Sequence, residues 1–82
     1  EDWFNKGLAY YLIGDYQGAN TAFEASVLAK REFGYGYYGL ALVAMELGQL
    51  ESAHFYFEKA ITANIGLKQK IAIDPIFSQF FN

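Results

Sequence analysis

A spacing of 34 residues recurs along this chain and constrains its fold more than any other feature. Six positions are identical at that offset, namely Leu8 and Leu42, Gly14 and Gly48, Ala19 and Ala53, Phe23 and Phe57, Glu24 and Glu58, and Ala29 and Ala63. A fixed period of this size is typical of a protein built from stacked repeats. Because such folds display side chains along a surface, we expect the chain to act by binding.

Within each copy, the apolar residues follow the period of an α-helix. Phe4, Leu8 and Tyr11 have the spacing i, i+4, i+7 that places them on one helical face. The pattern predicts four helices, over about residues 3–13, 17–31, 37–47 and 51–64. Gly14 and Gly48 end the first and third helices, since glycine adopts positive φ without steric cost. Asp15 is predicted to cap the second helix, and Gly34-Tyr35-Gly36 separates the two copies.

The composition indicates more apolar surface than one small core absorbs. The chain has 82 residues, of which 54% are hydrophobic and 20% aromatic, whereas ordinary domains contain about 45–50% apolar residues. A chain this short also buries a modest share of its surface. We therefore expect its helices to cover further surface by stacking on neighbouring units or on a partner.

Charge and residue usage argue against several classes of function. The net charge of −3 disfavours nucleic-acid binding, which normally needs a basic stripe. Absence of cysteine excludes disulfides and thiolate metal sites. No apolar run approaches the roughly 20 residues that cross a bilayer, so no membrane insertion is predicted. The compartment stays open, with the cytoplasm slightly favoured.

The sequence contains no recognisable catalytic constellation. His54 is the only histidine and is interpreted as a partly exposed helix residue. Glu24 and Glu58 lie one repeat apart, and Lys30, Arg31 and Glu32 are interpreted as ordinary surface charges. No set of residues has the spacing of a metal site or of a base beside a nucleophile. We therefore predict no enzyme activity and no cofactor.

The two copies resemble the tetratricopeptide repeat over about residues 1–65. The matching residues are Trp3-Phe4-Asn5-Lys6-Gly7, Tyr10, Gly14-Asp15-Tyr16, Ala19, Phe23 and Ser26 in the first copy, and Tyr37, Leu40-Ala41, Ala44, Gly48-Gln49-Leu50, Ala53, Phe57 and Ala60 in the second. The resemblance implies an all-α, right-handed α-solenoid of two helical hairpins, residues 1–34 and 35–65. Residues 66–82 are predicted to form a C-terminal cap with a short helix from about residue 75, where Asp74 and Pro75 suit a helix start.

Small and aromatic residues of the pattern are predicted to form the core. The small residues are Gly7, Ala19, Ala41 and Ala53, which would allow close helix packing. The aromatic residues are Trp3, Tyr10, Phe23, Tyr37 and Phe57, which would fill the space around those contacts.

The resemblance also implies a concave groove lined by the first helix of each pair. Its residues would be Phe4, Asn5, Leu8, Tyr11 and Leu12 from the first copy and Tyr38, Gly39, Leu42, Met45 and Glu46 from the second, with Tyr35 at the edge. We expect Gly39 to leave room for a ligand. Some members of the family hold a terminal carboxylate with Lys and Asn, but Phe4, Leu8 and Gly39 stand at the matching places. The predicted ligand is therefore a hydrophobic or amphipathic segment.

Two functions are compatible with such a groove. The first is a non-catalytic scaffold that binds a partner protein or peptide. The alternative is a self-association module, in which another copy of the chain or further repeats of the parent protein fill the groove. The second function would produce a homo-oligomer or a longer array.

Overall fold

The computed structural model describes residues 2–29, 32 and 34–67 of the chain, and these residues form four consecutive α-helices. The helices are α1 (Trp3–Leu12), α2 (Tyr16–Leu28), α3 (Tyr35–Glu46) and α4 (Leu50–Ala63). The described residues contain no β-strand, and the all-α prediction is confirmed. All but the first two residues of the predicted C-terminal cap, residues 66–82, lie outside the described residues.

The tight turns within each hairpin form as the sequence predicts. Gly14 and Gly48 take φ values of 84° and 74° in the turns after α1 and α3. Asp15 caps α2 by accepting a hydrogen bond from the Gly18 backbone N–H at 2.9 Å. Gln49 occupies the corresponding position before α4 but makes no side-chain capping bond. The two hairpins therefore share a turn geometry but differ in how their second helices are capped.

The connection between the hairpins differs from the prediction. Helix α2 ends at Leu28 rather than near residue 31, because Ala29 adopts an extended backbone with φ −82° and ψ 119°. Gly34 takes φ 96°, and α3 begins directly after it at Tyr35. Gly36 therefore lies inside the helix, although the sequence pattern assigned it to the breaker between the copies.

Glycine at position 36 is required by helix packing. A Cβ atom there would lie 2.5 Å from the Val27 backbone nitrogen and 2.9 Å from the Phe23 carbonyl oxygen. Backbone atoms of α2 have little freedom to move away, so only glycine permits this approach of α3.

Phe23 fills the space where α1, α2 and α3 meet. Its side chain is fully buried, and its ring lies against Gly7 of α1 and Gly39 of α3. A Cβ atom at Gly7 would approach the ring to 2.5 Å, and one at Gly39 would overlap it. The expectation that Gly39 leaves room for a ligand is wrong, because Phe23 already occupies that space.

The predicted core is correct at its centre and wrong at one edge. Phe23 and Phe57 are fully buried, while Trp3 and Tyr37 are half-buried. Tyr10 is 38% exposed, because it borders an open cleft between α1 and α2. Phe57 packs in a cluster of buried residues made of Tyr38, Ala41, Leu42, Ala44, Ala53, Ala60 and Leu67.

Helix α3 occupies the centre of the bundle. Eight of its 12 residues are buried, in contrast to one of the 10 residues of α1. This burial agrees with its nearly continuous apolar sequence, in which Glu46 is the only charged residue. It follows that α3 can offer fewer side chains to a partner than α1.

Candidate protein-interaction face

Helices α1 and α3 lie side by side and run in the same direction. At their N-terminal ends, the ring centroid of Phe4 lies 5.2 Å from that of Tyr35 and 6.1 Å from that of Tyr38. At their C-terminal ends, the Tyr11 hydroxyl donates a hydrogen bond to Glu46 Oε1 at 3.2 Å. The surface that we call the α1–α3 face consists of Phe4, Asn5, Leu8, Tyr11, Leu12, Tyr35, Tyr38, Leu42, Met45 and Glu46.

The N-terminal end of the α1–α3 face is aromatic. Phe4 and Tyr35 are half-buried, and their tilted rings lie in contact. Phe4 also lies 5.8 Å from the Phe23 ring, so the core fixes its position. A cleft of about 230 Å³ opens here, lined by Asp2, Phe4, Glu32 and Tyr35. Aromatic rings held in this way offer contact area at little entropic cost.

The middle of the face is apolar but unevenly exposed. Leu8, Tyr11 and Met45 are half-buried and pack against the core cluster that contains Phe57. Tyr38 and Leu42 are each only 6% exposed. These last two side chains are therefore part of the core and offer little area to a partner. Most of the available apolar area comes from α1 and from the two ends of α3.

The C-terminal end of the face carries a carboxylate and an exposed leucine. Glu46 is exposed and accepts hydrogen bonds from the hydroxyls of Tyr11, at 3.2 Å, and Tyr16, at 3.5 Å. The rings of Tyr11 and Tyr16 lie 5.8 Å apart. Leu12 is 79% exposed at the end of α1. Tyr16 escaped the sequence prediction because its Gly-Asp-Tyr context indicated only a turn.

Asn5 lies on α1 but is engaged with the helix cap. Its backbone N–H donates to Asp2 Oδ1 at 3.0 Å, and its side-chain amide donates to Asp2 Oδ2. Asp2 thereby caps the N-terminus of α1. Asn5 is exposed, so its side chain stands at the border of the face rather than between α1 and α3.

Glu32 was interpreted as a surface charge, and this interpretation is wrong. It is 7% exposed and its carboxylate lies at the N-terminus of α1. Oε1 accepts bonds from the Phe4 N–H at 2.6 Å and the Ser26 hydroxyl at 3.3 Å, and Oε2 accepts from the Trp3 N–H at 3.3 Å. A carboxylate is favourable here, because the first amides of a helix lack partners and carry partial positive charge. The repeat pattern does not indicate this role for Glu32, because the equivalent position of the second copy, 34 residues later, is Gly66.

A larger cleft lies away from the α1–α3 face. It has a volume of about 610 Å³ and is lined by Tyr16, Gln17, Asn20, Thr21, Leu40, Val43, Ala44, Leu47 and Gln49. Its α2 wall is mainly amide and hydroxyl side chains, of which Gln17 and Thr21 are exposed. Because it offers fewer aromatic side chains than the α1–α3 face, we regard it as the weaker candidate for binding an apolar segment.

The part of the chain that the structure describes holds neither a metal-binding cluster nor a membrane-spanning helix. Among residues 2–29, 32 and 34–67, no group of three or more His, Cys, Asp or Glu residues could hold a metal ion. His54 is exposed, as expected, and its Nε2 lies 3.7 Å from Glu58 Oε1 one helical turn away. None of the four helices has both the length and the hydropathy to span a bilayer.

Comparisons with known proteins agree with the geometry. Sequence models of the tetratricopeptide repeat match residues 3–33 and 34–66. A TPR repeat-containing protein of Methanocaldococcus jannaschii is 31% identical over 65 residues, covering 71% of this chain but only 12% of that relative. No solved structure matches the chain. Repeats of this kind generally mediate protein–protein interactions and are typically non-catalytic scaffolds. The chain belongs to the tetratricopeptide repeat family.

Proposed function

We propose that this chain is a non-catalytic interaction module whose α1–α3 face binds a hydrophobic or amphipathic segment of a partner protein. The observation that supports this most is the continuous set of half-buried apolar side chains on two parallel helices. The set comprises Phe4, Leu8, Tyr11, Tyr35 and Met45. Leu12, which is 79% exposed, extends it at one end.

The set is held in place before any ligand arrives. Phe4 is packed on Phe23, and Tyr11 is hydrogen-bonded to Glu46. Side chains fixed in this way lose little freedom on binding, which favours affinity. A partner segment would gain less from Tyr38 and Leu42, because the chain buries them already.

The expected affinity is modest. Full burial of an exposed apolar side chain is worth about 1.5–3 kcal/mol, and the five residues of the set are already largely buried, so together with Leu12 they supply roughly 3–6 kcal/mol in total. Association entropy opposes this gain. We therefore expect dissociation constants well above about 1 μM for a single segment.

Selection from a library of phage-displayed peptides of about fifteen residues tests the proposal. We expect enrichment of sequences with apolar residues at helical spacing, and we expect Leu12→Gln to weaken their binding about tenfold, or about 1.4 kcal/mol. Leu28→Gln is the matched control, because Leu28 is 84% exposed but lies at the end of α2. Failure to enrich apolar peptides, or equal loss in both variants, would count against the α1–α3 face.

Self-association is distinguished by sedimentation equilibrium over a range of concentrations. We expect a monomer whose α1–α3 face stays available to the peptide. A dimer that dissociates in Leu12→Gln but persists in Leu28→Gln would instead assign the face to a second copy of the chain. Circular dichroism of both variants checks that their helices are intact.

A further inference from the structure

The larger cleft, between α2 and α3, has a lining that suits a different ligand from that of the α1–α3 face. Its volume of about 610 Å³ is within the usual range of ligand sites. We infer that this α2–α3 cleft is a second binding site, which takes a short extended peptide segment and holds it by its main chain. The inference goes beyond the proposed function and does not depend on it.

Amide side chains on the wall of the α2–α3 cleft are available for hydrogen bonding. Gln17 and Asn20 of α2 line it, together with Gln49 just before α4. No described residue is a hydrogen-bond partner of these three side-chain amides. Each amide offers two donor hydrogens and an acceptor oxygen, and a peptide group offers one donor and one acceptor. One amide side chain can therefore bond to both the N–H and the C=O of an extended segment.

The floor of the α2–α3 cleft is apolar and fixed in place. Leu40, Val43 and Ala44 of α3 form most of it, and each is 6% exposed or less. Leu47 follows at the end of α3 and is 52% exposed. Because the core already holds the first three side chains, the floor exists before a ligand arrives. Apolar side chains on one face of the segment would pack against it.

The lining of the α2–α3 cleft is neutral. Its described residues include no lysine, arginine, aspartate or glutamate. A charged side chain would lose hydration there without gaining an ion pair. Peptide groups are polar and carry no net charge, so they match the amide wall better than charged groups do.

An extended segment fits the amide wall better than a helical one. A helix bonds its main-chain N–H and C=O groups internally and would leave the amides without peptide partners. An extended segment presents these groups along its edges. On one edge they recur at every second residue, or about every 6.6 Å. Gln17 and Asn20 lie three positions apart on α2, where Cβ atoms are about 5–6 Å apart, so both can reach the same edge.

The floor sets the length of the segment. From Leu40 to Leu47 it spans about 10.5 Å at about 1.5 Å per residue. This distance corresponds to about three extended residues. A peptide of five residues therefore covers the whole cleft.

Nuclear magnetic resonance of the whole chain tests the inference with a capped, uncharged pentapeptide of alternating valine and threonine. Two analogues carry N-methyl groups on the peptide nitrogens of one edge or of the other, which removes donors but keeps the side chains. We expect the pentapeptide to shift the side-chain NH₂ resonances of Gln17, Asn20 and Gln49. One of the two methylated analogues should bind about fivefold more weakly or worse, because it loses main-chain hydrogen bonds.

Variants of the chain locate the binding. Gln17→Met and Asn20→Leu keep the approximate shape of the side chain but remove its amide, and each should weaken binding about threefold or more. Thr62→Val is the control, because Thr62 is exposed on α4 and lies outside the α2–α3 cleft. Unchanged amide resonances at about 10 mM pentapeptide, full affinity of both methylated analogues, or an equal effect of Thr62→Val would overturn the inference.

The same spectra separate this inference from the proposed function. Shifts confined to Leu8, Tyr11 and Met45 would overturn the inference and support binding at the α1–α3 face. Amide shifts caused by maltose but not by the pentapeptide would assign the cleft to a saccharide and overturn the inference as well. A failed phage selection would count against the α1–α3 face and leave the α2–α3 cleft standing.

Discussion

The buried carboxylate of Glu32 provides the sharpest test of how this fold is held together. Replacing it with Ala removes the acceptor of the Phe4 N–H bond at 2.6 Å and of two longer bonds at 3.3 Å, from Trp3 and Ser26. A short hydrogen bond to a charged group contributes about 1.5–3 kcal/mol, and we assign about 0.5 kcal/mol to each longer bond. We therefore expect Glu32→Ala to lower the free energy of unfolding by about 2.5–4 kcal/mol.

That loss is large for a chain of 82 residues. Domains of this size are stable by roughly 4–12 kcal/mol. At about 4–8 °C per kcal/mol, the melting temperature should fall by roughly 10–30 °C. Thermal and urea unfolding followed by circular dichroism at 222 nm measures both quantities. Glu32→Gln, which keeps the shape and loses the charge, should lie between Glu32→Ala and the wild type.

Glu24→Ala is the matched control for Glu32→Ala. Glu24 lies within α2 and is exposed. We expect its replacement to change stability by less than about 0.5 kcal/mol. If Glu32→Ala unfolds at the same temperature as Glu24→Ala, the carboxylate does not stabilise the start of α1 and the reasoning fails.

Two further pairs of substitutions test the packing and the capping. Gly36→Ala should lower the free energy of unfolding by about 3 kcal/mol or more, because its Cβ would meet backbone atoms of α2. The control is Gly18→Ala, whose Cβ would meet mainly movable side chains and should change the free energy of unfolding by about 1 kcal/mol or less. Equal melting temperatures for these two variants would contradict the packing. Gln49→Asp should raise the free energy of unfolding by about 1 kcal/mol by supplying the missing cap of α4, and Asp15→Gln should lower it by a similar amount. Urea unfolding checks both, and a loss of stability in Gln49→Asp would refute the capping argument.

The features predicted correctly from the sequence are those that depend on local chemistry. Gly14 and Gly48 end helices because glycine readily adopts the positive φ that these turns require. Asp15 caps α2 through a hydrogen bond to a residue three positions away. Phe23 and Phe57 were predicted as core from their position in the repeat, and both are buried. Each of these predictions depends on spacing that is visible within one copy.

The features that escaped prediction depend on where distant segments meet. Glu32 reaches the start of α1 only because the chain returns there after α2, and no residue near it in sequence indicates this. The sequence pattern indicates a helix breaker at Gly36, yet this residue lies inside α3. Glycine is needed there because α2 packs closely against that position. Tyr16 joins Glu46 across 30 residues.

The composition of the α1–α3 face was predicted from the family resemblance and stays a proposal. The structure brings α1 and α3 together, which the repeat pattern implied. It also buries Tyr38 and Leu42, which a repeat pattern alone does not separate from their exposed neighbours. Burial at these positions depends on the central place of α3, which only the packing of all four helices sets.

A nuclear magnetic resonance titration of the chain with an apolar amphipathic peptide from the phage selection tests the central claim most directly. If the α1–α3 face binds the apolar segment, the largest shifts should occur at Leu8, Tyr11 and Met45. Shifts concentrated instead in the cleft formed by Gln17, Asn20 and Thr21, with none on α1, would contradict it.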